Sequence, residues 1–227
     1  MNSQSVLNIS NELELLTGEL AGMGGLVEDM LSDALSAVIT YDVELALEVV
    51  DRDGQLDKLK AKVEHKIFDL IERRQLKGQD LRQALASMKV AVELRRIGGL
   101  SRSIAKRTSQ LKDYERSDQT KSLARMGRLV SSQLKRVLDA YGVQDIESAL
   151  DVRERDEEVD EFYNSIFRIM VTYMMEDGRK IGACAHFMFM AKKLERAGDH
   201  CSQIAEIIHY SVTGEYPAIE RSKVDEL

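Results

Sequence analysis

Six carboxylates stand in pairs four residues apart: Asp53 with Asp57, Asp156 with Asp160, and Glu195 with Asp199. On a helix that spacing puts both members of a pair on one face, within reach of a common cation. Oxygen ligands of this kind suit hard cations such as Mg²⁺, Mn²⁺ or iron. Pairs at this spacing also occur as plain solvated surface. Little else in the chain carries chemistry. There is no glycine-rich phosphate loop followed by Lys-Ser/Thr, no Gly-x-Ser-x-Gly elbow and no Cys-x-x-Cys pair. His65, His186 and His209 read as ordinary helix residues. His200 follows Asp199 directly, so its side chain points about 100° away around a helix.

The carboxylate pairs belong to an internal repeat. Sliding the chain by 103 residues superposes Met23, Gly24, Leu31, Leu35, Asp53 and Asp57 on Met126, Gly127, Leu134, Leu138, Asp156 and Asp160. Further on, an offset of 100 aligns Ala91, Leu94, Arg96, Gly98 and Ala105 with Ala191, Leu194, Arg196, Gly198 and Ala205. The chain is therefore a tandem duplication of a unit of about 100 residues. Recurrence of the acidic pair at one place in both units favours a retained role over chance surface charge.

Composition says what the units are made of. Of 227 residues, one is proline, none is tryptophan and 5% are aromatic, which argues for long helices over sheet. Apolar residues recur at spacings of three and four, as in Leu56, Leu59, Val63, Ile67 and Leu70, or Val159, Phe162, Ile166 and Met170. Breaks fall at Thr40–Asp42, Leu76–Asp80, Tyr141–Gly142 and Asp177–Gly178, with Asp42, Asp80 and Asp145 as expected N-caps. The expected fold is all-α: two three-helix bundles, spanning residues 1–112 and 113–227 and joined within Ser109–Thr120. If the second and third helices of a unit pack antiparallel, the four carboxylates Asp156, Asp160, Glu195 and Asp199 face each other.

The formal net charge is −7, which disfavours nucleic acid as the principal partner. No stretch reaches the roughly 20 apolar residues that span a bilayer, and the first residues lack the pattern of a signal peptide. Cys184 and Cys201 lie too far apart on one helix for a disulfide and read as small buried hydrophobes. A soluble cytoplasmic protein is expected. Methionines 170, 174, 175, 188 and 190 read as core filler. Residues from Arg95 to Arg128 are locally basic (Arg102, Lys106, Arg107, Lys112, Arg116, Lys121, Arg125) and read as a solvated face or one turned toward an acidic partner.

The segment Leu194-Glu-Arg-Ala-Gly-Asp-His-Cys-Ser-Gln-Ile-Ala-Glu206 resembles the signature of the PhoU family. Asp80-Leu-Arg, Met188-Phe-Met-Ala-Lys-Lys-Leu194 and Tyr210-Ser-Val-Thr-Gly-Glu-Tyr216 resemble that family as well. The resemblance implies a pair of pseudo-symmetric three-helix bundles without catalytic residues. It implies a negative regulator of the phosphate-starvation response that links the phosphate ABC transporter, through its ATPase subunit, to a membrane sensor histidine kinase. Homodimerisation and metal held on acidic motifs are implied too, with membrane association only through partners. Carried over by position, the metal set is Asp156, Asp160, Glu195 and Asp199, with Asp53 and Asp57 weaker. The weakness has a visible cause. Where the first repeat should carry two more acids it reads Arg95-Arg96-Ile97-Gly98-Gly99, so Arg95 is expected to sit in a cation's place and pair with Asp53 or Asp57.

A rival reading is a carboxylate-bridged metalloenzyme, but only one Glu-x-x-His spacing, Glu206 to His209, is present where a di-iron bundle uses two. A purely structural scaffold is the third.

Overall fold

The computed structural model describes residues 3–111 and 119–218. The described residues form helices α1 (Ser3–Thr40), α2 (Val43–Arg74), α3 (Gly78–Ala105), α4 (Thr108–Leu111), α5 (Gln119–Val143), α6 (Ile146–Glu154), α7 (Asp156–Glu176) and α8 (Ile181–Thr213), with one 3-10 turn at Gly178–Lys180. In the first repeat α1, α2 and α3 are the three arms. In the second they are α5, the divided arm α6–α7, and α8. The expected boundary between residues 112 and 113 lies outside the described residues.

The turns show why the arms end where they do. Tyr41 and Gln144, equivalent under the repeat, both take left-handed backbone, with φ of 61° and 56°. The next residues, Asp42 and Asp145, then cap α2 and α6 by accepting from Leu45 N–H and from the Glu147 and Ser148 N–H groups. The break expected at Tyr141–Gly142 therefore falls two residues later. Asp80 is not a cap. Helix α3 starts at Gly78, whose φ of 57° turns the chain, and Asp80 lies in the first turn, where its charge complements the helix dipole. Asp177 does cap, accepting from Arg179 N–H.

Arm α6–α7 breaks at Arg155, a division that the hydrophobic period does not show. Arg155 leaves helical backbone at φ −81° and ψ 1°, and Gln133 of α5 donates from Nε2 to its carbonyl at 3.1 Å. The matching arm α2 runs unbroken through Arg52.

Buried apolar residues of both repeats make one continuous core. Helices α3 and α8 pack antiparallel down its middle. Contacts of Arg82 with Ser211, Glu93 with His200 and Arg107 with His186 fix one register along their length. Fully buried Ala91, Ala105, Ala191 and Ala205 keep side chains small on these two helices. Helices α1 and α5 cross by a reciprocal exchange, with Leu138 against Gly24 and Leu35 against Gly127. A Cβ on Gly127 would stand 2.5 Å from Leu35 Cδ1. Gly127→Ala is expected to cost about 1–2 kcal/mol by overpacking, read as a lower urea midpoint. An unchanged midpoint would mean that Leu35 swings aside freely.

Cys184, Cys201, Met170 and Met190 are buried, and Met174 and Met188 pack against the core. Met175 is not core filler. It stands near the end of α7 at 83% exposure, on the face away from Met174, which packs on the core.

Candidate carboxylate site

The break at Arg155 makes Asp156 the first residue of α7, and α7 packs antiparallel on α8. This brings Asp156 and Asp160 into electrostatic contact with Asp199 and Glu195. Burial pushes the Asp156 carboxyl up to about 6, against the pull of the Ser202 hydroxyl, and repulsion from Asp199, Asp160 and Glu195 adds to the rise. Asp160 is raised by burial and then by Glu195; Asp199 is raised by burial and then by Asp160. Lys192 answers part of this charge, with Nζ 2.5 Å from Glu195 Oε1. Three buried oxygens here, Glu195 Oε2, Gln133 Oε1 and Ser202 Oγ, have no partner within hydrogen-bond geometry. Four carboxylates against one ammonium leave a desolvated excess of negative charge.

The donor chemistry fits a hard cation. Hydrogen bonds, by contrast, leave those oxygens unanswered. Among the described residues, no group of three or more His, Cys, Asp or Glu side chains is drawn close enough, as they stand, to hold an ion.

The first repeat is built differently. Arg95 places its guanidinium between both acids, with Nε 2.6 Å and Nη2 3.0 Å from Asp57 and with Nη1 3.0 Å from Asp53 Oδ1. Arg102 adds a second cation, 3.5 Å from Asp53 Oδ2. Arg95 hydrogen bonding holds the Asp57 carboxyl below its ordinary range. Gly99 leaves room for this reach, since a Cβ there would stand 3.3 Å from Arg95 Nη1. Two cations answer two carboxylates, and this donor set does not fit a metal ion.

Sequence reasoning missed Gln133 and Ser202. A signal was available in the repeat itself: Gln133 stands where the first repeat has buried Met30, and Ser202 where it has Arg102. His200 turns away from the carboxylates, with Nδ1 2.7 Å from Glu93 Oε2, which also accepts from Arg96 at its other oxygen. The Glu206–His209 half-site is engaged elsewhere. Glu206 pairs with Arg153, and His209 Nδ1 stands 2.8 Å from the Glu215 carbonyl. The basic stretch does not form one face. Arg95 and Arg102 turn to Asp53, Arg107 to α8, and Arg125 lies over Phe162. Lys112 and Arg116 lie outside the described residues. No helix among the described residues is long and apolar enough to cross a membrane.

Comparison with known proteins agrees with this duplicated architecture. The family model for the PhoU domain matches residues 20–108 and 123–208. The phosphate-specific transport system accessory protein PhoU homolog of Caulobacter vibrioides is 46% identical, covering 100% of this chain and 99% of that protein. The homolog from Rhizobium meliloti is 41% identical over 94% of this chain and 91% of its own length. Among solved structures, PhoU from Pseudomonas aeruginosa superposes with a TM-score of 0.87 at 34% identity, covering 91% of this chain and 99% of that one. Its six arms, its two repeats and its similarity along the whole length place the chain in the PhoU family.

Proposed function

We propose that this chain is a cytoplasmic, non-enzymatic regulator of phosphate uptake that represses the phosphate-starvation response. It does so by linking the phosphate ABC transporter's ATPase subunit to a sensor histidine kinase. The observation that carries this reading is the full-length similarity to accessory and regulatory proteins of phosphate transport. A docking protein regulates only if it binds two states of a partner with different affinity, and a rigid helical pair with long outer faces suits that task. The two repeats, 1–112 and 113–227, work as one body through the shared core, in a homodimer. The test is deletion of the gene in its host with a phosphate-responsive reporter. Reporter activity that stays high in ample phosphate is expected; normal repression would overturn the reading.

Metal belongs to the second repeat in this reading. Asp156, Asp160, Glu195 and Asp199 would hold a divalent or iron ion, which would neutralise the buried charge and tie α7 to α8. Elemental mass spectrometry of gently purified protein is expected to find stoichiometric metal in the wild type and none in Glu195→Ala/Asp199→Ala. Metal retained in the double variant, or bound at Asp53 and Asp57, would remove this assignment.

A further inference from the structure

The antiparallel register of α3 and α8 lines up cations from both repeats along one seam. From the α3 side come Arg96 and, in the turn just after the helix, Arg107; from α8 come His186, Phe189, Lys193 and Arg196. The α8 residues follow at spacings of three and four, hence on one face, over about 15 Å. Arg107 lies over Phe189, with Cζ 4.0 Å from the ring centre, and Lys193 Nζ is 4.8 Å from the centre of the same ring. Among the described residues, the Arg107 side chain has the imidazole of His186 as its polar partner, with Nη1 3.3 Å from Nδ1. Burial and then the Arg107 charge hold His186 below its ordinary range, so at neutral pH its ring accepts that bond and carries no charge.

Carboxylates answer little of this. Glu93 is taken by Arg96 and His200. Arg196 feels Asp199 through space but forms no ion pair. Among the described residues, Arg107 and Lys193 form none either. In a chain of net charge −7 with 39 acidic residues, a fixed guanidinium and an ammonium on one aromatic ring without a carboxylate is an unusual surface. Elsewhere the half-buried arginines Arg52, Arg74, Arg95, Arg102 and Arg153 are each ion-paired, while Arg82 donates to the Ser211 carbonyl.

We propose that this seam is a docking surface for an acidic segment of a partner protein, whose carboxylates pair with Arg107, Lys193 and Arg196. The inference rests on reading the chain as a docking protein and adds the surface and its partner's chemistry. A guanidinium pre-set by stacking offers its free N–H fork to a carboxylate at low entropic cost, and arginine beside an aromatic ring is the composition of interface hot spots. Arg107 and Lys193 are half-buried and Arg196 is exposed, and this single file matches a peptide chain better than a flat bilayer.

The test uses the full chain and a fluorescein-labelled decaglutamate peptide, read by anisotropy at low salt. Vesicles containing phosphatidylserine and a ten-nucleotide single-stranded DNA serve as competitors. Arg107→Ser/Lys193→Ser is expected to bind the peptide at least tenfold more weakly, while Arg168→Ser on exposed α7 binds as wild type. Equal loss in Arg168→Ser, no loss in the double variant, or displacement of the peptide by vesicles or DNA at lower concentration would each overturn the proposal. If the double variant does not fold, Arg196→Ser at the exposed end of the stripe is expected to weaken binding about threefold, and unchanged binding there overturns it. Peptide binding is independent of phosphate-responsive repression, so failure here and failure of the regulatory reading are distinguishable.

Discussion

Asp156→Asn is expected to stabilise the metal-free protein at pH 7, by about 2 kcal/mol. The folded carboxyl titrates at about 6 and the unfolded one at its ordinary 3.8. A group raised on folding opposes folding wherever both states are ionised. The penalty is therefore full above about pH 6 and fades as pH falls toward 4. A displacement of about two pH units corresponds to about 3 kcal/mol at most, and the amide recovers most of it while keeping the shape. Wild-type protein in chelator should accordingly melt higher at pH 5 than at pH 7, with Asp160 and Asp199 contributing in the same direction. The Asn variant should show a flatter profile. A wild-type melting temperature that falls steadily from pH 7 to pH 5 would contradict this account. So would an Asn variant less stable than wild type in chelator.

Arg95→Ala is expected to do the reverse, destabilising the protein by about 2 kcal/mol at neutral pH. The side chain is 23% exposed and its partner Asp53 only 14%, so removing the guanidinium leaves a largely buried carboxylate with Arg102 as a more distant cation. Orphaning a buried charge costs more than the pair itself contributes. The other partner, Asp57, is 63% exposed and returns to water at little cost. These opposing terms set the figure below the 3–5 kcal/mol of a fully buried pair. Arg95→Lys should recover only part of the loss, because an ammonium cannot serve two carboxylates with a planar fork. Urea denaturation of the three proteins at pH 7 checks both statements. Equal midpoints for Arg95→Ala and wild type would reduce the bridge to surface decoration.

These predictions have opposite signs because the two repeats resolved one problem in two ways. Asp53 and Asp57 correspond to Asp156 and Asp160, but Arg95, Gly99 and Arg102 stand where the second repeat has Glu195, Asp199 and Ser202. The first repeat supplies its own cations and is locally neutral. The second keeps its acids, and among the described residues only Lys192 answers them within ion-pair distance.

Much of this was legible before any coordinates. Helical period, scarce turn residues and the duplicated positions determine three arms per repeat, because an amphipathic helix has one face to bury and short turns force neighbours antiparallel. The exchange of Arg95 for a carboxylate is likewise readable from two aligned segments, and the structure puts that arginine on both Asp53 and Asp57. Local rules failed where a contact came from far along the chain. The break at Arg155 has no proline or glycine to announce it, and its freed carbonyl is met by Gln133 from another arm. Helix geometry turns His200 from Asp199, but its partner Glu93, 107 positions away, was not readable locally. The α3–α8 register, which gathers Arg107, His186, Phe189 and Lys193, follows from packing two helices of different repeats. Sequence by itself determined which residues lie on a common helix face, since that depends only on the 3.6-residue turn. Which faces meet, and which charges are left unanswered when they do, was decided by tertiary packing, because burial and pairing are properties of neighbours in space.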